Sequence, residues 1–134
     1  MSEERTERNA SESNETVIDS EGNWQDENTK TIVKKITVLR QSIDNVDMAI
    51  IALLAERFKI TSSVGVLKAQ AGFAPADYQR ENQQMERLQR IAKEAGLDPQ
   101  IAEEYREFVV TEAKKRHKRI AETGEDPGVL DIFA

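Results

Sequence analysis

The sequence predicts an all-α fold, with three helices in the chain and a long first helix. Apolar residues recur at alternating steps of four and three along most of its length, and no segment alternates apolar and polar side chains as a half-buried strand would. Glycine and proline sit at the junctions between these periodic stretches, where helices stop and start.

The first stretch carries its stripe through Ile32, Ile36, Leu39, Ile43, Val46, Ile50, Leu53, Arg57, Ile60, Val64, Leu67 and Ala71. Asn28 or Thr29 is placed to cap its start, no proline interrupts it, and it should end near Gly72, with Pro75 just beyond. About forty residues at ~1.5 Å each form a rod of roughly 60 Å, whereas a compact domain of about a hundred residues has a radius of gyration near 13 Å. Such a rod needs a partner chain to cover its apolar face.

After the connection Gly72 to Ala76, Asp77 is a helix cap, and the second stripe reads Tyr78, Glu81, Met85, Leu88, Ala92 and Ala95 before Gly96 stops it. Asp98 followed by Pro99 starts a third helix, expected to run to about Glu122 with Ile101, Ala102, Tyr105, Phe108, Val109, Ala113 and Ile120 inward. The expected organisation is an acidic, disordered tail over 1–29, a helical domain over 30–122 and a C-terminal tail over 123–134. Trp24 reads as a solitary aromatic in a flexible arm. The C-terminal tail carries an apolar end of Val129, Leu130, Ile132 and Phe133.

Charge separates the tail from the domain. The first thirty residues hold nine acids and three bases, so they account for the whole formal net charge of −6, and from Thr31 onward acids and bases cancel. A balanced domain has no global field suited to nucleic acid or an anionic membrane surface. With no cysteine and one histidine, disulfides, thiolate nucleophiles and Cys- or His-cluster metal sites are excluded. The early residues contain no apolar run long enough for a signal peptide or membrane span, so the expected compartment is the cytoplasm.

Chemistry is sought where charge breaks the stripes. Arg57 occupies a seam position among apolar ones, and a guanidinium there must meet an anion. Lys68, eleven residues on, returns to within about 20° of Arg57 and lies roughly 16 Å along the same face. Glu81 interrupts the second stripe, with Asp77 a turn earlier and Arg80 beside it. Spacing leaves two readings open: Arg57 and Glu81 pair with each other across the core, or both wait for a ligand. His117, a turn after Ala113, points partly inward, either as a satisfied structural residue or as a site group. Arg40 is rotated by about 100° from Arg57 and cannot share its cavity within one chain, but it would reach the equivalent cavity of a second chain lying alongside. A surface pair of Arg40 with Asp44 is the alternative. The basic run Lys114, Lys115, Arg116, Lys118 and Arg119 reads as a solvated face near a helix C-terminus.

Leu39-Arg40, Ile43-Asp44, Val46-Asp47, Leu53-Leu54-Ala55-Glu56-Arg57, Val64-Gly65, Lys68, Asp77 and Arg80-Glu81 together resemble the all-helical, AroQ-type chorismate mutases. The resemblance covers about residues 33–121, is firmest through Glu81, and places the family's charged positions on the residues that break the apolar stripes. It implies an intertwined homodimer of three-helix chains, in which the long first helices of both subunits contribute to each of two sites. It further implies Arg57 and the other subunit's Arg40 as carboxylate binders for chorismate, Lys68 as donor to the ether oxygen and Glu81 as acceptor from the ring hydroxyl. Asp77 would lie beside that contact and Arg80 would support the carboxylate side.

The implied reaction is a pericyclic rearrangement of chorismate to prephenate in phenylalanine and tyrosine biosynthesis, needing no metal, cofactor or nucleophile. Two positions depart from the family pattern. His117 falls where the family usually has Gln or Glu donating to the ether oxygen, and Ala113 where some members have a carboxylate-binding Ser. His117 is therefore expected to serve as the second ether-oxygen donor, and Ala113 to offer only a backbone N–H. Two alternatives remain: an isochorismate-pyruvate lyase on the same scaffold, and a non-catalytic helical dimer that binds another shikimate-pathway enzyme.

Overall fold

The computed structural model describes residues 14–19 and 21–124, so the start of the acidic tail and the apolar C-terminal end from residue 125 onward lie outside the described residues. Three helices carry the described chain: α1 (Glu27–Ala71), α2 (Tyr78–Ala95) and α3 (Pro99–Thr123), with no strand among the described residues. The chain is all-α, as the periodicity requires.

By its contacts the chain divides into two units, one ending at Ile51 and one beginning at Ala52. In the first unit, α1 starts earlier than expected. The Asp26 carboxylate accepts from the Thr29 backbone N–H (3.3 Å) and hydroxyl (3.0 Å), so Asp26 caps the helix in place of Asn28 or Thr29. Just upstream, Trp24 is half-buried and donates its indole N–H to the Asp19 carbonyl at 2.7 Å, closing a turn where a solitary, unattached aromatic was expected. Val33 is buried, but most of the apolar seam beyond it is open: Leu39, Ile43 and Val46 are each more than half exposed.

The second unit holds the end of α1 with α2 and α3. Val109 and Ile120 of α3 are completely buried, and Ala92 of α2 and Ala102 of α3 nearly so. Fully burying a branched apolar side chain contributes about 1.5–3 kcal/mol, so these positions anchor the unit. Phe58 of α1 meets Phe108 of α3 edge to face, with centroids 6.4 Å apart. The expected inward face of α3 is only partly inward in the single chain, since Ile101 and Phe108 remain about half exposed.

The helix ends fall where residue chemistry puts them. Gly72, at φ 72°, lets the Phe73 N–H return to the Lys68 carbonyl (2.8 Å) and the Gly72 N–H to that of Ala69 (3.2 Å), the paired bonds that close a helix on a left-handed residue. Gly96 ends α2 by the same motif, and Asp98 restarts the chain by accepting from the Gln100 N–H at 2.9 Å, with Pro99 in the first turn.

Candidate active site

Closure of α1 at Gly72 turns the following loop back on the helix, and Asp77 then fixes the start of α2 by accepting from the Arg80 N–H at 3.1 Å. Within the second unit these elements enclose a cavity of about 480 Å³, a size suited to a small metabolite. Helix α1 lines it with Arg57, Ile60, Thr61, Val64 and Lys68. The loop and α2 add Pro75, Asp77, Arg80, Glu81 and Gln84, and α3 adds Val110, Ala113, Lys114 and His117. Seven of the residues singled out from sequence therefore share one hollow: Arg57, Lys68, Asp77, Arg80, Glu81, Ala113 and His117. Arg40 does not line it, being exposed on α1 in the first unit.

The two readings left open for Arg57 and Glu81 are separated by their partners. Glu81 lies 2.6 Å from the Lys114 ammonium, not against Arg57. The Nη1 of Arg57 is buried with no hydrogen-bond partner among the described residues. Leaving a charge-bearing donor buried and unsatisfied is costly, and no carboxylate of the described residues forms an ion pair with Arg57.

Lys68 is held from two sides. Its ammonium donates to the Pro75 carbonyl at 3.2 Å and lies 3.5 Å from Nδ1 of His117. An ammonium has three N–H groups, and Lys68 also lines the cavity. His117 is buried, with Nε2 2.9 Å from the Thr61 carbonyl and Nδ1 3.4 Å from the Pro75 carbonyl. His117 thus lines the cavity with both ring nitrogens near backbone carbonyls of the chain. The close approach that permits this depends on Gly65, where a Cβ would come within 2.7 Å of the His117 ring and 3.0 Å of Ile120.

Lys114 corrects an expectation. Read from sequence as part of a solvated basic face, it lines the cavity, pairs with Glu81, and stands 5.0 Å from the centroid of the Tyr78 ring. The Glu81 carboxylate holds its ammonium above the ordinary lysine value of 10.5, against a smaller opposing effect of burial. The sequence carried a signal for it: Lys114 follows Val110 by four residues and precedes His117 by three, which puts all three on one face. Arg116 also departs from the solvated run, its guanidinium lying 4.9 Å from the Phe58 ring centroid. Gln84, one turn after Glu81, is a further lining residue that spacing would have found.

A hollow of metabolite size, lined by four cations and two carboxylates, lies within an all-helical chain. Residues 39–118 match the family model of chorismate mutase type II. The chain belongs to that family, and with it to the isomerases. It is similar to a chorismate mutase of Methanocaldococcus jannaschii, 28% identical over 91 residues that make up 68% of this chain and 92% of the relative. It is also similar to a T-protein of Enterobacter agglomerans, 30% identical over 82 residues, which are 61% of this chain and 22% of that longer protein. No helix among the described residues is long and apolar enough to cross a membrane.

Proposed function

We propose that this chain rearranges chorismate to prephenate in the cavity between Arg57, Lys68 and Glu81, as a cytoplasmic step of phenylalanine and tyrosine biosynthesis. The observation that carries the reading is the buried, unpartnered Nη1 of Arg57 on the wall of a hollow that Lys68 also faces. A small dianion supplies what those cations lack.

The rearrangement is intramolecular, so the site has to select a reactive conformer and stabilise charge. Arg57, backed by Arg80, takes carboxylate oxygens and fixes the enolpyruvyl arm over the ring, a restriction able to contribute up to roughly 7–11 kcal/mol in favourable intramolecular systems. As the ether C–O bond breaks, negative charge grows on its oxygen. The ammonium of Lys68 meets that charge, already oriented by Pro75 and His117, so little reorganisation is needed during the reaction. His117 thus serves the reaction by orienting Lys68. Glu81 accepts from the ring hydroxyl, with Asp77 beside that contact and the Ala113 backbone near the carboxylate side.

The working unit in this reading is a homodimer with shared sites. The exposed seam of Leu39, Ile43 and Val46 supports it, since apolar side chains in a row on one helix face call for cover. Arg40 of a second copy then completes each cavity.

The test is direct. Full-length protein, incubated with chorismate and no added metal or cofactor, should consume the substrate's ultraviolet absorbance and yield prephenate. Pyruvate release from isochorismate without turnover of chorismate would assign a lyase instead, and inertness toward both would refute an enzymatic role on these substrates.

A further inference from the structure

A carboxylate is an awkward neighbour for a dianion. Glu81 sits in the cavity with 14% of its side chain exposed, and a doubly negative substrate arriving beside it is repelled unless Glu81 is neutralised. Lys114 provides that neutralisation from α3. Its ammonium contacts one carboxylate oxygen at 2.6 Å and stands 5.0 Å from the Tyr78 ring centroid, on the helix that also carries Glu81.

The consequence can be counted on the cavity wall. Arg57, Lys68, Arg80 and Lys114 are four cations and Asp77 and Glu81 two carboxylates, an excess of two positive charges from this chain, to which Arg40 of a second copy adds one in the proposed dimer. With Lys114 removed the chain's own excess falls to one.

We propose that Lys114 is a positioning residue of the site. It neutralises Glu81, so that a carboxylate can stand on the wall of a cavity that takes a doubly negative substrate. This inference rests on the chorismate reading and adds to it the device by which the hydroxyl end of the cavity tolerates an anion.

A double-mutant cycle tests it, with Lys114→Met, Glu81→Gln, the double variant and Lys114→Arg, each checked for unchanged helical content by circular dichroism. Lys114→Met should raise KM by about tenfold while kcat changes less, because an interaction made equally in ground and transition states moves KM. Lys114→Arg keeps the charge and should stay within about threefold of the parent. In the Glu81→Gln background, Lys114→Met should have no further effect beyond about twofold, as expected for residues that act as one unit. An unchanged KM in Lys114→Met overturns the proposal. A full tenfold loss retained in the Glu81→Gln background overturns it too, by showing that Lys114 acts on the substrate directly.

Turnover by the parent protein decides the chorismate reading separately. The same cycle, read by calorimetry as affinity for a cyclic hydroxy-dicarboxylate, tests the coupling without any need for turnover. Additive losses there would overturn the proposal even if the parent enzyme is active.

Discussion

Replacing Arg57 by leucine separates the two things that residue does. Its Nη1 is buried and unpartnered among the described residues, on a half-buried side chain in a largely apolar seam. Arg57→Leu should therefore reduce turnover by at least about a hundredfold, the scale seen when a preorganised charge is removed from a reaction site. The same change should leave the thermal midpoint unaltered or higher, since apolar replacement of buried charge is often neutral or stabilising. Retained activity would contradict the assignment.

Gly65 makes the opposite case. Alanine favours helix over glycine by about 1 kcal/mol, yet here the added Cβ would press within 2.7 Å of a buried histidine ring that is tied to Thr61. Overpacking costs about 1–3 kcal/mol, so the clash outweighs propensity. Gly65→Ala should lower stability in urea and also lower kcat, as His117 moves off Lys68. A more stable and fully active variant would show that the ring has room to retreat.

Lys114 gives this scale its pH dependence. Its ammonium is held above 10.5 by Glu81, so the pair's contribution to stability is complete below the ordinary lysine value and is lost only as alkali passes the raised one. In Lys114→Met the difference in stability from the parent should therefore be constant through neutral pH and shrink only in strong alkali, as urea midpoints at several pH values would record.

At the scale of elements, Asp77 has two positions at once, as cap of α2 and as part of the cavity wall. Asparagine caps as well as aspartate, whereas alanine does not, at a cost of about 1 kcal/mol. Asp77→Ala should lose about that much stability and Asp77→Asn almost none, so any activity lost in the asparagine variant belongs to the charge and not to the helix. Equal destabilisation by both would mean that the carboxylate's charge, not its hydrogen bond to Arg80, starts the helix.

The element ends were legible for the same reason that this test is possible. Gly72, Asp77, Gly96 and Asp98-Pro99 are residues whose backbone or side-chain chemistry ends or begins a helix locally. Asp26 was overlooked as the cap of α1 because the acidic tail offers several capping residues in succession, and only hydrogen bonding to Thr29 selects among them. The site was legible where charge broke an apolar stripe, as at Arg57 and Glu81. It was not legible at Lys114, since a lysine within a basic run near a helix end is ordinary until the facing helix supplies its carboxylate. His117 was found by position. Its ring nitrogens lie against the Thr61 and Pro75 carbonyls, 56 and 42 residues away along the chain, which spacing on one helix does not show.

For the whole molecule the decisive question is whether the sites are shared. In the proposed dimer the apolar row at Leu39, Ile43 and Val46 is covered, and a second copy carries Arg40 to each cavity. Sharing has an arithmetic that no single-chain site reproduces. Chains with Arg40→Ala and chains with Arg57→Ala should each be inactive as homodimers, because every site lacks one of the two arginines. When the two are unfolded together and refolded, half the dimers formed at random are mixed. In a mixed dimer one site loses both arginines and the other keeps both. About a quarter of the parental activity should therefore reappear, as the symmetry of a two-fold dimer requires. If both arginines served the same chain's cavity, the mixture would stay inactive. If Arg40 had no part in the site, Arg40→Ala would be active before any mixing. The three outcomes are distinct, and co-refolding followed by a chorismate assay separates them without knowledge of the dimer's geometry.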